Sequence, residues 1–123
     1  VAIVDDEPDL TFVYSILVKK LGYYAEYVAH DGDEIVRAVL ADGIHPAVIL
    51  MDYRMPAMNG MQAAERILRA RPEIRIIIAT ADDSVRREVI AAGLFFIQKP
   101  FSGKELAKAI EDSLAGSESS DLP

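Results

Sequence analysis

Five short apolar runs, each followed by a stretch with helical spacing, constrain the fold of this chain more than any other feature. The runs are Val1–Val4, Tyr23–Val28, Ala47–Met51, Ile74–Ala79 and Leu94–Ile97. Most are continuously apolar and rich in β-branched or aromatic residues, the pattern of parallel strands buried on both faces. Tyr23–Val28 carries Glu26 inside it and is expected nearer a sheet edge. Between the runs, apolar residues recur at intervals of three and four. That spacing predicts helices over about 8–21 (stripe Leu10, Val13, Leu17, Leu21), 32–41 (Ile35, Val36, Val39, Leu40) and from about Asn59 (Met61, Ala64, Ile67, Leu68). Two more are expected over about 84–92, the weakest pattern, and 103–115 (Leu106, Ile110, Leu114). Ser102 with Glu105 reads as a capping box, and Asn59 with Gln62 as a looser one. Pro72 stops the third helix. Strand–helix alternation repeated five times means a parallel sheet with right-handed crossovers and helices on both faces.

Composition narrows the chemistry. The 123 residues suit one domain with a real core, expected over 1–115, with 116–123 as a tail or the start of a linker. There is no cysteine, which excludes disulfides, zinc–cysteine sites, iron–sulfur clusters and thiol catalysis. Twenty acidic residues against thirteen basic ones give a net charge of -7, a poor match for phosphate backbones, so direct nucleic-acid binding is not expected. No apolar run approaches the ~20 residues that span a bilayer, and no signal segment precedes Val1–Val4. The expectation is a cytoplasmic domain without a membrane partner, cut or trimmed from something longer because it does not start with Met.

In an open parallel sheet, chemistry gathers at the carboxyl ends of the strands. The first strand ends in Asp5-Asp6-Glu7, the third in Asp52, the fourth in Thr80-Ala81 and the fifth in Lys99-Pro100. If the first and third strands are neighbours, their ends lie roughly 5 Å apart. Asp5, Asp6 and Asp52 would then crowd one pocket, an unfavourable arrangement unless a cation compensates. Mg²⁺ fits best, since it takes one or two carboxylates, keeps waters and bridges to phosphate. The plainer alternative is that Asp5 and Asp6 cap the first helix and that Lys99 makes a salt bridge with Asp52. Three acids at two strand ends, with a lysine at another, make capping alone insufficient.

These residues together resemble the receiver domain of two-component response regulators. The matching elements are Val4-Asp5-Asp6-Glu7-Pro8, Met51-Asp52-Tyr53-Arg54-Met55-Pro56, Asn59-Gly60, Ala79-Thr80-Ala81 and Lys99-Pro100-Phe101. The resemblance implies a flavodoxin-like (βα)5 fold, a doubly wound five-stranded parallel α/β sheet of order 2-1-3-4-5. It implies that Asp52 accepts a phosphoryl group from the phosphohistidine of a cognate histidine kinase or phosphotransfer protein. Asp6, Asp52 and the backbone carbonyl of Arg54 would ligate Mg²⁺, with Asp5 acting through water. Thr80, Ala81 and Lys99 would bind phosphoryl oxygens, and Thr80 and Phe96 would form the switch. The Lys99–Pro100 peptide is expected to be cis. The readout face would be the fourth helix, fifth strand and fifth helix, serving a partner, an attached output domain or a homodimer formed on phosphorylation.

Departures from the commonest pattern and rival readings accompany the resemblance. Phe96 lacks the phenol of the more frequent tyrosine, and no acidic residue stands before it. Arg54 and Asp82, each two residues past a site residue, are expected to pair across the pocket mouth. A phosphatase using Asp52 for turnover is disfavoured because Arg54 stands where such enzymes of haloacid-dehalogenase type place a second acid. A receiver-like interaction module that is never phosphorylated would lack the acceptor, the lysine or the acidic pair, and all are present. His30, His45, the four methionines between Met51 and Met61, and Arg66, Arg69 and Arg71 are read as turn, packing and solvated-surface residues.

Overall fold

The computed structural model describes residues 1–116. The expectation of a tail or linker over 116–123 falls, past Gly116, outside the described residues. Five parallel strands, β1 (Ala2–Val4), β2 (Tyr27–Ala29), β3 (Val48–Asp52), β4 (Arg75–Thr80) and β5 (Phe95–Gln98), form one sheet in the order β2-β1-β3-β4-β5. The helices are α1 (Pro8–Lys20), α2 (Gly32–Leu40), α3 (Gly60–Ala70), α4 (Arg86–Ala91) and α5 (Gly103–Leu114). A single 3₁₀ turn, Asp83–Val85, leads into α4. This is the expected flavodoxin-like α/β order.

The continuous apolar runs became the central strands. Every residue of β1 and β3 is buried, and Ile76, Ile77 and Ile78 of β4 are at most 1% exposed. Each such isoleucine contributes about 1.5–3 kcal/mol by leaving water. The side chains alternate between two cores. Ile49, Met51, Ile76 and Ile78 face one core with α2, α3 and α4. Ile3, Leu50, Ile77 and Ile97 face the other with α1 and α5. The run Tyr23–Val28 shortens to Tyr27–Ala29 at the sheet edge, where it pairs with β1 alone.

The caps fall where the sequence puts them. Ser102 and Glu105 form a reciprocal capping box at α5, and Asn59 and Gln62 do the same at α3, each worth about 1 kcal/mol. Asp31 caps α2 through Glu34 N, so His30-Asp31 is a helix entry. His45 is exposed and bonds Glu73 at 2.7 Å. Met51 and Met58 are core residues, with Met55 and Met61 packed against them. Arg69 is exposed and pairs loosely with Glu65.

The inward face of α1 differs from the expected stripe. Thr11, Tyr14 and Val18 are the buried positions, while Val13 is 51% exposed. Leu10, Leu17 and Leu21 flank the core half-buried. The helix is apolar on several sides, with Phe12 and Ile16 also exposed, so periodicity identified the helix without selecting its azimuth. Leu40 and Leu114 turn outward for a related reason: each lies at the last residue of its helix.

Candidate functional site

Register brings the strand ends together. Val4 of β1 is level with Met51 of β3, so Asp5 and Asp52 follow side by side. Asp52 is level with Ala79, and Thr80 with Gln98, which sets Lys99 just beyond. Tyr53 N donates to Ala79 O and Lys99 N donates to Thr80 O, both at 2.9 Å, extending the ladders past the carboxyl ends of the strands. The Lys99–Pro100 peptide is cis, as expected.

One oxygen from each of Asp5, Asp6 and Asp52 lies within 4.8 Å of the others. Asp5 is 1% exposed and Asp52 9%, whereas Asp6 is exposed. At an effective dielectric of about 20, two like charges this close repel by roughly 3–4 kcal/mol. That is a large fraction of the 5–15 kcal/mol that typically separates folded from unfolded states. Part of the compensation is Lys99. Its Nζ donates to Asp5 Oδ2 and to Asp52 Oδ1, each at 2.9 Å. The expected Lys99–Asp52 pair is thus a three-residue bridge. Asp5 does not cap α1: its Oδ1 accepts from Glu7 N, and Glu7 is the N-cap residue without a side-chain cap.

Three carboxylates against one ammonium leave two negative charges over, the charge of one divalent cation. Arg54 does not supply the balance, because its guanidinium donates to Asp82 Oδ2 at 3.0 Å, the pairing expected across the mouth. Several oxygens stay free among the described residues. Neither Asp6, nor Asp52 Oδ2, nor the Arg54 carbonyl accepts a hydrogen bond. A cluster of hard oxygen donors, short of two positive charges, fits Mg²⁺.

The titration behaviour follows from this crowding. Burial pushes the Asp52 carboxyl above its ordinary value, opposed by the Lys99 hydrogen bond and reinforced by Asp5 and Asp6. For Lys99, burial works against the charged form, but hydrogen bonds and charges of Asp5 and Asp52 outweigh it and raise the ammonium well above its ordinary value. The hydrogen bonds that Ser84 donates to Asp82, with Arg54 adding, hold that carboxyl below the usual range.

The loop after Asp52 is shaped by close approach. Gly60 N donates to Tyr53 O, and a Cβ on Gly60 would sit 2.5 Å from Asp52 O. Ala57 has φ 66°, with Met58 N donating to Pro56 O across it. A left-handed alanine beside a site is a strained geometry of the kind that clusters at functional loops.

The sequence matches the family model of the response regulator receiver domain over residues 1–111. The chain belongs to the response regulator receiver family. A two-component response regulator of the LuxR family from Aurantimonas sp. SI85-9A1 is 29% identical, with TM-score 0.85 over 94% of this chain and 84% of that one. Chemotaxis protein CheY4 of Vibrio cholerae is 25% identical, with TM-score 0.79 over 92% and 96%. The receiver domain of NtrX from Brucella abortus shares the fold at 23% identity, with TM-score 0.82 over 94% and 98%.

In this receiver the remaining candidate residues are distributed as follows. Thr80 is 3% exposed, and its Oγ1 accepts from Asp82 N at 3.1 Å. Ala81 is exposed beside it, its carbonyl accepting from Gln98 Nε2. Phe96 is half-buried on β5, against the core of α2, α3 and α4. The Arg86 guanidinium lies 4.7 Å above the Phe96 ring and also reaches Asp83 Oδ1. The sequence places Arg86 only among the charged residues of the fourth-helix to fifth-helix face that could support a dimer, and its contact with Phe96 was not foreseen. Tyr14 was missed as well. It is buried on α1, stacks on Phe101 with centroids 5.1 Å apart, and faces Lys99. No helix among the described residues is long and apolar enough to cross a membrane.

Proposed function

We propose that this receiver is a phosphoacceptor switch in which Asp52 takes a phosphoryl group from the phosphohistidine of a cognate histidine kinase or phosphotransfer protein. The observation that carries the reading is the acidic cluster of Asp5, Asp6 and Asp52, bridged by Lys99 and short of two positive charges. A carboxylate can act as nucleophile toward phosphorus, and phosphoryl transfer asks mainly for alignment and neutralised oxygens. Asp52 Oδ2, which no donor among the described residues engages, forms the new P–O bond. The P–N bond to the donor imidazole breaks, its electron pair goes to the ring nitrogen, and the product is an aspartyl phosphate. Attack of water on that phosphorus releases phosphate and restores the carboxylate.

Asp6, Asp52 and the Arg54 carbonyl would hold Mg²⁺ directly, with Asp5 through water. When bound, the ion supplies positive charge at the phosphoryl oxygens. Lys99 and the Thr80 hydroxyl would engage phosphoryl oxygens, with Ala81 small enough to leave room for the group. In doing so Thr80 gives up the bond from Asp82 N, and Phe96 packs inward. The face of α4, β5 and α5 then changes for a partner, an attached output domain or a second copy. Such a switch turns over only its own phosphoryl group, acts as a signalling element rather than an enzyme on outside substrates, and belongs in the cytoplasm. Residues 1–115 form the unit that does this.

The test is incubation with a small acyl phosphate, with and without Mg²⁺, read by intact mass. A gain of one phosphoryl group that needs Mg²⁺ and vanishes in Asp52→Ala is the expected result. No gain under any condition would leave an interaction module of receiver fold. Repeated turnover of many phosphoesters would make it a phosphatase.

A further inference from the structure

We propose that Tyr14 of α1 is a positioning residue that keeps the Lys99 ammonium aimed at the acceptor when its carboxylate partners are otherwise engaged. This rests on the reading of Lys99 as a phosphoryl-binding group.

Lysine is a flexible chain whose ordering costs rotamer entropy. Two carboxylates hold Lys99 Nζ, at 2.9 Å each. Both anchors weaken in the state where Lys99 has to act. Asp5 and Asp52 belong to the cluster that fits a divalent cation, and Asp52 loses its carboxylate charge on becoming an acyl phosphate. A third contact does not compete for either role. The Tyr14 ring centroid lies 5.8 Å from Lys99 Nζ, within the range of a cation–π contact. The ring is 9% exposed and stacked on Phe101, two residues past Lys99, with planes inclined by 26°. One side of the ring's surroundings is therefore set by the same loop that carries the ammonium. Thr11 and Val18, the neighbouring buried positions of α1, lock the helix azimuth that turns Tyr14 inward.

An aromatic face attracts an ammonium through its quadrupole and adds no net charge. A further carboxylate in that place would deepen the negative surplus. A leucine would fill the volume but leave the ammonium free to swing. The phenol itself stays neutral at ordinary pH, since burial raises its pKa.

The test compares wild type, Tyr14→Phe and Tyr14→Leu as the full chain, labelled by a small acyl phosphate at saturating Mg²⁺, with thermal melting of each. Tyr14→Leu is expected to label about five-fold more slowly, the effect of losing a contact of cation–π strength. Tyr14→Phe keeps the ring and labels close to the wild-type rate. Labelling of Tyr14→Leu at the wild-type rate, whatever its melting temperature, would overturn the proposal. So would Tyr14→Phe being as slow as Tyr14→Leu. If Tyr14→Leu does not fold, proton NMR of wild type and Tyr14→Phe decides. The Lys99 ε-methylene protons should be shifted upfield by the ring, and stay so with Mg²⁺ present; unshifted protons end the proposal. Should the wild type take no phosphoryl group at all, the acceptor reading fails, while the NMR shift still reports on the Tyr14–Lys99 contact.

Discussion

Lys99 Nζ lies 2.9 Å from Asp52 Oδ1, a contact between residues 47 apart in the chain. The same nitrogen reaches Asp5 Oδ2 at the same distance. One ammonium therefore serves two buried carboxylates, and its removal exposes their repulsion.

Lys99→Ala is expected to lower stability by about 3 kcal/mol, because it leaves two buried carboxylates without their partner. For a domain of this size that corresponds to a melting midpoint lower by about 10 °C. The loss should be fully visible at pH 7. A lysine held above its ordinary value contributes its stabilisation in full below 10.5 and loses it only as pH rises through the folded value. Added Mg²⁺ should restore more stability to Lys99→Ala than to wild type, since the ammonium no longer competes for the same oxygens. Equal Mg²⁺ shifts in the two proteins would contradict the shared site.

The Asp52 carboxyl should titrate above 3.8 in the metal-free protein, because burial, then Asp5 and Asp6, disfavour its charge against the pull of Lys99. The sign for stability is the reverse of a salt-bridged acid. The folded state holds the Asp52 proton more tightly than the unfolded one, so this group's contribution falls as pH rises from 3.8 through the folded value. Carbon NMR of the Asp52 carboxyl reads the midpoint. Asp5→Asn removes one repelling charge and should move it down, and saturating Mg²⁺ should move it down further. A midpoint at or below 3.8 in the metal-free wild type would refute the crowding.

Arg54 and Asp82 close over the mouth at 3.0 Å, yet the arginine side chain is 70% exposed. Such pairs contribute little to stability, so Arg54→Ala should melt within a degree or two of wild type. The expected effect is on chemistry: opening the mouth admits water and shortens the life of the phosphorylated form. Phosphate release followed in wild type and variant checks this, and equal rates would remove Arg54 from any gating role.

Gly60→Ala should disturb the acceptor directly. Its new Cβ would meet Asp52 O at 2.5 Å and Tyr53 Cα at 3.2 Å, both backbone atoms that cannot swing aside. Overpacking of this kind costs about 1–3 kcal/mol. The variant should melt lower and label more slowly at saturating Mg²⁺. Wild-type melting with wild-type labelling would mean the loop moves freely, and the strained turn at Ala57 would then have no bearing on Asp52.

The order of strands and helices was legible in the chain, and with it the residues at the strand ends: Asp5, Asp6, Asp52, Thr80 and Lys99. Local patterns suffice for that, because a run such as Val48–Asp52 is apolar throughout only when both faces of a strand are buried. The capping boxes at Asn59 and Ser102 were legible for the same local reason. The azimuth of α1 was not. Phe12, Val13 and Ile16 are as apolar as the residues that turn inward, so period alone could not choose Thr11, Tyr14 and Val18. Folding of the sheet chose, by presenting one surface of β1 and β3 for that helix to cover. The same packing laid Tyr14 against Phe101 and under Lys99, and Arg86 over Phe96. It also gave Lys99 its second carboxylate, Asp5, 94 residues away. Charge and period are properties of the chain, whereas a contact between distant side chains exists only once the elements that carry them have packed.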